Sequence, residues 1–170
     1  GFACTETKVL NDKGRPVGPG EVGELFSRSP YLFSGYWGNP QTISSMKEGW
    51  FSAGDLAQID DEGFVYLVDR KMDMIISGGV NIYPREIEEV LYEHPAISDA
   101  AVIGVPDRYW GESVKAYVVL RENQNVNSDS LTKFCGKTLA GYKTPKSFEF
   151  ISALPRGSTG KVLKRELHNR

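Results

Sequence analysis

Apolar residues come in short runs along the first 69 residues, and each run stops at a cluster of Gly, Asn, Asp or Pro. Thr5 to Leu10 and Arg15 to Val17 flank Asn11-Asp12-Lys13-Gly14, which predicts a strand, a tight turn and a strand. Gly18-Pro19-Gly20 breaks that hairpin, and Gly23 to Ser29 alternates into a further strand. Asn39-Pro40 ahead of Gln41-Thr42-Ile43 predicts a short helix ending at Glu48-Gly49, with Asn as cap and Pro in the first turn. Trp50-Phe51 precedes Asp55 to Ile59, the turn Asp60-Asp61-Glu62-Gly63, and Phe64 to Val68, a second hairpin. Residues 1–69 are therefore expected to be β-rich with one small helix.

The grammar changes after a charged, solvent-loving pentad, Asp69 to Asp73. Met74 to Ile76 is β-like and stops at Ser77-Gly78-Gly79, where glycine permits torsions closed to other residues. Pro84 stands at a first helical position, with Ile87, Val90 and Leu91 following at helical spacing. That helix should end before His94-Pro95. Ala96 to Val105 and Val114 to Arg121 are strand candidates, and Ser128 opens a helix with Leu131, Phe134, Cys135 and Leu139 on one face. Gly141 to Pro145 is a loop, Lys146 to Ile151 a strand, and Val162 to His168 a short helical tail. Residues 74–170 are expected to form a compact α+β domain, with residues 70–73 as a hinge before it.

Composition narrows the function classes. The 170 residues are 40% hydrophobic and 25% charged with a formal net charge of −2, which argues against a nucleic-acid or anionic-membrane surface. No apolar run approaches the roughly 20 residues of a membrane span, and no secretion signal is visible. The two cysteines, Cys4 and Cys135, lie far apart without metal-type spacing, so neither a metal site nor a disulfide framework is expected. A reducing, cytoplasmic setting fits best. Gly1-Phe2-Ala3-Cys4 runs without an initiator Met into a strand-like segment, and the expectation is a piece of a longer protein.

Four ordered segments resemble the later motifs of adenylate-forming acyl-CoA ligases. They are Gly23-Glu24-Leu25 with Gly35-Tyr36, Ser52-Ala53-Gly54-Asp55-Leu56, the Asp69 to Leu91 junction, and Pro155-Arg156-Gly157-Ser158-Thr159-Gly160-Lys161. The resemblance covers nearly the whole chain. It implies the β-rich end of that family's large domain (1–69), a hinge (70–73) and the mobile C-terminal α+β domain (74–170).

Each candidate residue has a plain reading beside the one the resemblance implies. Asp55, in a Gly-Asp pair at the mouth of a strand, reads as a turn aspartate. The resemblance implies a carboxylate for the ribose hydroxyls of ATP and acyl-AMP, as acidic residues serve in other nucleotide folds. Where the family usually has Thr, this chain has Ala53, so one hydroxyl contact is missing. Arg70 reads as a surface cation; the resemblance puts it beside the ribose or phosphate of AMP, a task suited to a guanidinium fork. The family's pivot position, generally Asp or Lys, is Met72 here.

Ser77, Gly78 and Gly79 read as a turn, and by resemblance line the pantetheine tunnel of CoA. Trp110 reads as a partly buried packing residue; the resemblance sets it near the CoA adenine with Tyr142, Lys143 and Lys146, an aromatic surface with neighbouring cations. Pro155 to Lys161 reads as a flexible phosphate-binding or disordered loop, and it lacks the glycine spacing of a Walker loop. By resemblance, Lys161 bridges the acyl carboxylate and the α-phosphate during adenylation. Lys164 and Arg165 read as surface charges, and Glu86, Glu88 and Glu89 as the solvent face of a helix. His94 and His168 show no partners in sequence.

The expected protein is thus an acid–thiol ligase that converts a carboxylic acid (fatty or aryl) and ATP, with Mg²⁺ on the phosphates, to acyl-AMP and then acyl-CoA. Its partners would be that acid, CoA and the preceding large domain. An adenylation module loading a carrier-protein thiol, and a non-catalytic nucleotide- or CoA-binding domain, are the alternatives. The 170 residues alone are expected to be inactive in adenylation, since no second Gly/Ser/Thr-rich phosphate loop lies upstream of Asp55.

Overall fold

A computed structural model describes residues 4–33 and 46–169. The chain divides into two compact units, Gly1–Met72 and Asp73–Arg170. In the first, β1 (Glu6–Leu10), β2 (Val22–Arg28), β3 (Met46–Lys47), β4 (Trp50–Phe51), β5 (Asp55–Ile59) and β6 (Val65–Arg70) form one antiparallel sheet. Its order is β3-β4-β2-β5-β6, with β1 on the other side of β2. The Arg15 to Val17 strand does not form. That segment makes one bridge, Leu10 with Pro16, flanked by hydrogen bonds from Asn11 N to the Arg15 carbonyl at 2.9 Å and from Val17 N to the Val9 carbonyl at 3.1 Å, while β1 pairs along its length with β2. Proline has no N–H to give a ladder, whereas β2 offers a complete one. Gly23 allows that approach, because a Cβ there would stand 2.5 Å from the Leu10 carbonyl oxygen.

The helix expected from Asn39, and Gly35-Tyr36, lie mostly outside the described residues. Where that helix was to end, Met46–Lys47 and Trp50–Phe51 make a small hairpin instead. Its turn places Glu48 at φ 52° and Gly49 at φ 79°. Among the described residues of this unit the buried apolar side chains are Val9, Leu56 and Ala57, while Phe64, Val65, Tyr66 and Leu67 are exposed.

The second unit is organised around β10 (Gly111–Leu120). Antiparallel β9 (Ile97–Asp107) runs along one side of it, and parallel β11 (Ser147–Phe150) and antiparallel β7 (Ile75–Ser77) share the other. β8 (Val80–Ile82) hairpins onto β7, a strand not expected from the sequence. Gly78 and Gly79, at φ 59° and 79°, make the two-residue turn, both torsions in the region hairpins need. Ala100, Val102, Val114, Ala116 and Val118 point to one face of the sheet, where Ile87, Val90 and Leu91 of α1 (Pro84–Tyr92) and Leu131 and Cys135 of α2 (Ser128–Cys135) cover them. Ala101, Ile103 and Tyr117 point to the other, against Leu154 and Leu167 of α3 (Lys164–Leu167). Both faces are covered, so the strands read as near-continuous apolar runs. The Tyr117 hydroxyl, buried, donates to the Leu167 carbonyl at 3.0 Å.

The α+β class holds. Details of the second unit differ from expectation through side-chain pairing. The α2 cap is Asn127, whose Oδ1 accepts from Ser130 N at 2.8 Å, and Leu139 packs from beyond the helix end. His94 accepts from Ala96 N through Nδ1 and meets the Phe134 ring edge-on. Cys4 and Cys135 are both free, and burial pushes the Cys135 thiol up to about 11. Glu88 and Lys164 are not surface charges: they pair at 2.8 Å with side chains only 17% and 16% exposed, and Glu88 also accepts from Val102 N. Glu86 is taken by Lys143; only Glu89, paired with Arg85, keeps to the solvent face.

Glu88→Ala would strand the Lys164 ammonium and the Val102 N–H, a loss of about 2–3 kcal/mol. Glu89→Ala should stay within about 0.5 kcal/mol. Urea unfolding of the two variants measures the difference, and equal losses would contradict the pairing.

Candidate functional site

In the first unit, Asp55 begins β5 and Arg70 ends β6, and the antiparallel register sets them opposite each other. Arg70 Nε lies 3.4 Å from Asp55 Oδ1, with the side chains 51% and 31% exposed. Such a wet pair contributes little stability, so both groups are accessible to a polar ligand. Behind them is an arrangement that the sequence did not single out. Glu24 accepts from Ser52 Oγ at 2.6 Å and from Lys71 Nζ at 2.8 Å. Ser52 Oγ in turn accepts from Gly54 N, and Lys71 N donates to the Gly54 carbonyl. The bond to Glu24 raises the Lys71 pKa. Gly54, at φ 79°, makes the corner that turns Asp55 into β5. One carboxylate thus fixes both chain segments that present Asp55 and Arg70. Glu24 and Ser52 stood in segments bearing the family resemblance, but nothing local marked them as partners. Ala53 is exposed and Met72 is 82% exposed.

In the second unit, the Gly78 turn and the Asp107 to Gly111 connection meet. Ser77 pairs with Gly111, and Gly78 N donates to the Trp110 carbonyl at 2.8 Å. The indole lies on the turn: a Cβ at Gly78 would be 2.7 Å from Trp110 Cε3. Asp107 Oδ1 accepts from the backbone N–H of Tyr109 and of Trp110, and its Oδ2 pairs with Lys146 at 3.4 Å. Lys146 Nζ also stands 5.4 Å from the Trp110 ring centroid. Ser77, Gly78, Trp110 and Lys146 therefore form one cluster, with the indole still 54% exposed. Lys143 is otherwise engaged. Its ammonium bonds both Glu86 oxygens at 2.7 Å, which leaves it far less free for an anion than its sequence position suggested. Tyr142 is exposed, with the Lys143 ammonium 5.9 Å from its ring centroid.

Lys161 stands in an ordered turn, not a loose loop. Arg156 and Val162 bridge, Gly157 N donates to the Lys161 carbonyl at 2.9 Å, and Gly160 N donates to the Gly157 carbonyl at 2.9 Å. Val162 packs on the Tyr117 side of the sheet. The Lys161 side chain is exposed and its ammonium has no ion pair among the described residues. A cation fixed at its backbone and free at its tip can meet an anion brought to it.

Residues 86–161 match the family of the AMP-binding enzyme C-terminal domain. That part of the chain belongs to the AMP-binding enzyme C-terminal domain family. A feruloyl-CoA synthase of Amycolatopsis sp is 46% identical over 167 residues, 98% of this chain and 34% of that protein. A long-chain-fatty-acid–CoA ligase of Bacillus subtilis is 46% identical over 168 residues, 98% of this chain and 30% of its own length. The o-succinylbenzoate CoA synthetase of Bacillus subtilis, in complex with its acyl-adenylate intermediate, gives a TM-score of 0.91 at 40% identity, covering 97% of this chain and 34% of that one. The same enzyme in complex with ATP and magnesium ion gives 0.89 at 39%, with the same coverage. The chain thus spans about a third of the length of these relatives.

The two backbone hydrogen bonds to Asp107, more than its pairing with Lys146, hold its carboxyl below the usual aspartate value. A pKa lowered on folding stabilises the folded turn fully above the ordinary value, about 3.9, and that contribution is lost as the pH falls through the folded value. In a Trp37→Phe, Trp50→Phe background, Trp110 emission should show an acid step below about pH 4. Asp107→Asn should lack the step; the same step in that variant would contradict the assignment.

Proposed function

We propose that this chain is the C-terminal part of an ATP-dependent acid–thiol ligase, which activates a carboxylic acid as acyl-AMP and then forms acyl-CoA. The observation that carries the reading is Lys161. It is an exposed cation without an ion pair among the described residues, on a hydrogen-bonded turn, within a chain 46% identical to CoA-forming ligases over 98% of its length. In the first half-reaction the Asp55 carboxylate accepts hydrogen bonds from the ribose hydroxyls, and Arg70 offers its fork to the same nucleotide. The Lys161 ammonium sits between the substrate carboxylate and the α-phosphate and offsets the negative charge as carboxylate oxygen attacks phosphorus and pyrophosphate leaves. Mg²⁺ enters with ATP and neutralises its phosphates.

In the second half-reaction the CoA sulfur attacks the acyl carbon and AMP leaves. The Gly78-Gly79 turn, without side chains, lets the pantetheine arm pass, and Trp110 with Lys146 offers an aromatic face and a cation to the nucleotide end. Residues 70–73 act as the hinge between the two reactions, with Met72 as the pivot. Its exposed side chain does not oppose a torsional change there, and the single 3-10 turn of Lys71–Asp73 is the backbone that would change. The acid is fatty or aryl, in keeping with the relatives, and the setting is cytoplasmic; no helix among the described residues is long and apolar enough to cross a membrane.

In the full-length protein, Lys161→Ala should cut pyrophosphate-releasing adenylation by about 10²–10³-fold. Thioester formation from supplied acyl-AMP should change less than about tenfold. Single-turnover measurement of both steps checks this, and equal losses would sink the assignment. Full-length protein that releases no pyrophosphate with any of a panel of fatty and aryl acids would favour a non-catalytic domain.

A further inference from the structure

The turn that carries Lys161 is held from one side by a single guanidinium. Arg156 Nη1 donates to the Gly160 carbonyl at 2.6 Å, one peptide before Lys161. Arg156 Nη2 of the same fork pairs with Asp99 Oδ2. Asp99 is itself fixed in β9: its Oδ1 accepts from the Tyr92 hydroxyl at 2.7 Å and from Ala100 N at 3.1 Å. Tyr92 ends α1, so the chain of contacts runs from that helix through the sheet to the Lys161 turn. The neighbouring bonds, Gly157 N to the Lys161 carbonyl and Leu163 N to the Pro155 carbonyl, close the turn but do not orient it against the sheet. Val162 packs the far end of the turn on the sheet; among the described residues the polar link from the Gly160–Lys161 peptide to the sheet is the Arg156 side chain, whose planar fork reaches two acceptors at once.

We propose that Arg156 is a positioning residue for adenylation, fixing the Gly160–Lys161 peptide to Asp99 so that the Lys161 ammonium is presented from one defined origin. The proposal rests on the reading of Lys161 as the adenylation cation. The Arg156 side chain is 45% exposed and that of Asp99 21%, a setting in which an ion pair adds little to global stability. Its consequence is local order. The long lysine stem amplifies a small tilt of its peptide into a displacement of the ammonium, and misplacement by about 1 Å can cost about 10²-fold in rate. A lysine at position 156 keeps the charge but cannot span both acceptors. Charge alone and geometry are therefore separable.

The test uses the full-length protein with Arg156→Ala, Arg156→Lys, Asp99→Asn and, as reference, Lys161→Ala. Adenylation and thioester formation from supplied acyl-AMP are measured separately, together with hydrogen exchange at the Gly157 and Gly160 amides. Both Arg156 variants are expected to lower adenylation kcat about 10–100-fold with KM for ATP within about threefold. Thioester formation should be retained, exchange at Gly157 and Gly160 should quicken, and the melting temperature should hold. If Arg156→Ala fails to fold, Asp99→Asn must show the same asymmetry in milder form. Full adenylation and unchanged exchange in Arg156→Lys would overturn the proposal, as would equal losses in the two half-reactions or a loss confined to KM for ATP. Should Lys161→Ala leave adenylation intact, the underlying reading falls. The exchange data then still decide whether Arg156 holds the turn.

Discussion

Backbone pairing along β10 is the constraint from which the second unit takes its form. At one end Gly111 pairs with Ser77 and so brings the Gly78 turn under Trp110. In its middle, Lys115 to Val118 run parallel to Ser147 to Phe150, and Lys146 N donates to the Val114 carbonyl, which sets the Lys146 side chain beside Asp107. Tyr117 projects to the far face and holds the tail through Leu167. Candidate nucleotide contacts from three separate stretches of chain are thus referred to one strand. Because β9 and β10 are covered on both faces, a shift of register would exchange the two cores, and the register is strongly specified.

The first unit rests on a thinner basis. Three apolar side chains are buried among its described residues, and Phe64 and the first three residues of β6 are exposed. Polar pairing does more of the ordering there. Glu24 ties Ser52 to Lys71, and the Lys71 amide ties back to Gly54. The segment entering the proposed hinge is therefore tied down as far as Lys71; Lys71–Asp73 then form one 3-10 turn in which the Met72 side chain is exposed.

Features with a local cause were legible in the sequence. The apolar runs of β9 and β10, the Pro84 helix start and its stop before His94-Pro95 each follow from neighbours a few residues apart. Arg15 to Val17 stops at a single bridge to Leu10, because Pro16 has no N–H to extend the ladder; the long partner of β1, β2, is set by a strand distant in sequence. β8 was missed since three residues after a Gly pair are too few to show a period. Charge pairing was the least legible part. Lys143 with Glu86 and Arg156 with Asp99 are each 57 residues apart, and no motif links them. The positions of Asp55, Gly78, Trp110 and Lys161 came from ordered motifs; what holds each of them in place came only from the fold.

The proposed function requires the second unit to turn about residues 70–73 between the two half-reactions. The most direct test is a spin-label distance in the full-length protein, with Ala53→Cys and Ser158→Cys in a Cys4→Ser background. Ala53 and Ser158 are exposed, and one lies in each unit. The distance is measured with acid and a non-hydrolysable ATP analogue, and again with a stable acyl-AMP analogue and CoA. Two distinct distance distributions, short with the ATP analogue and longer with CoA, are the expected result. A single distribution unchanged between the two conditions would contradict the account.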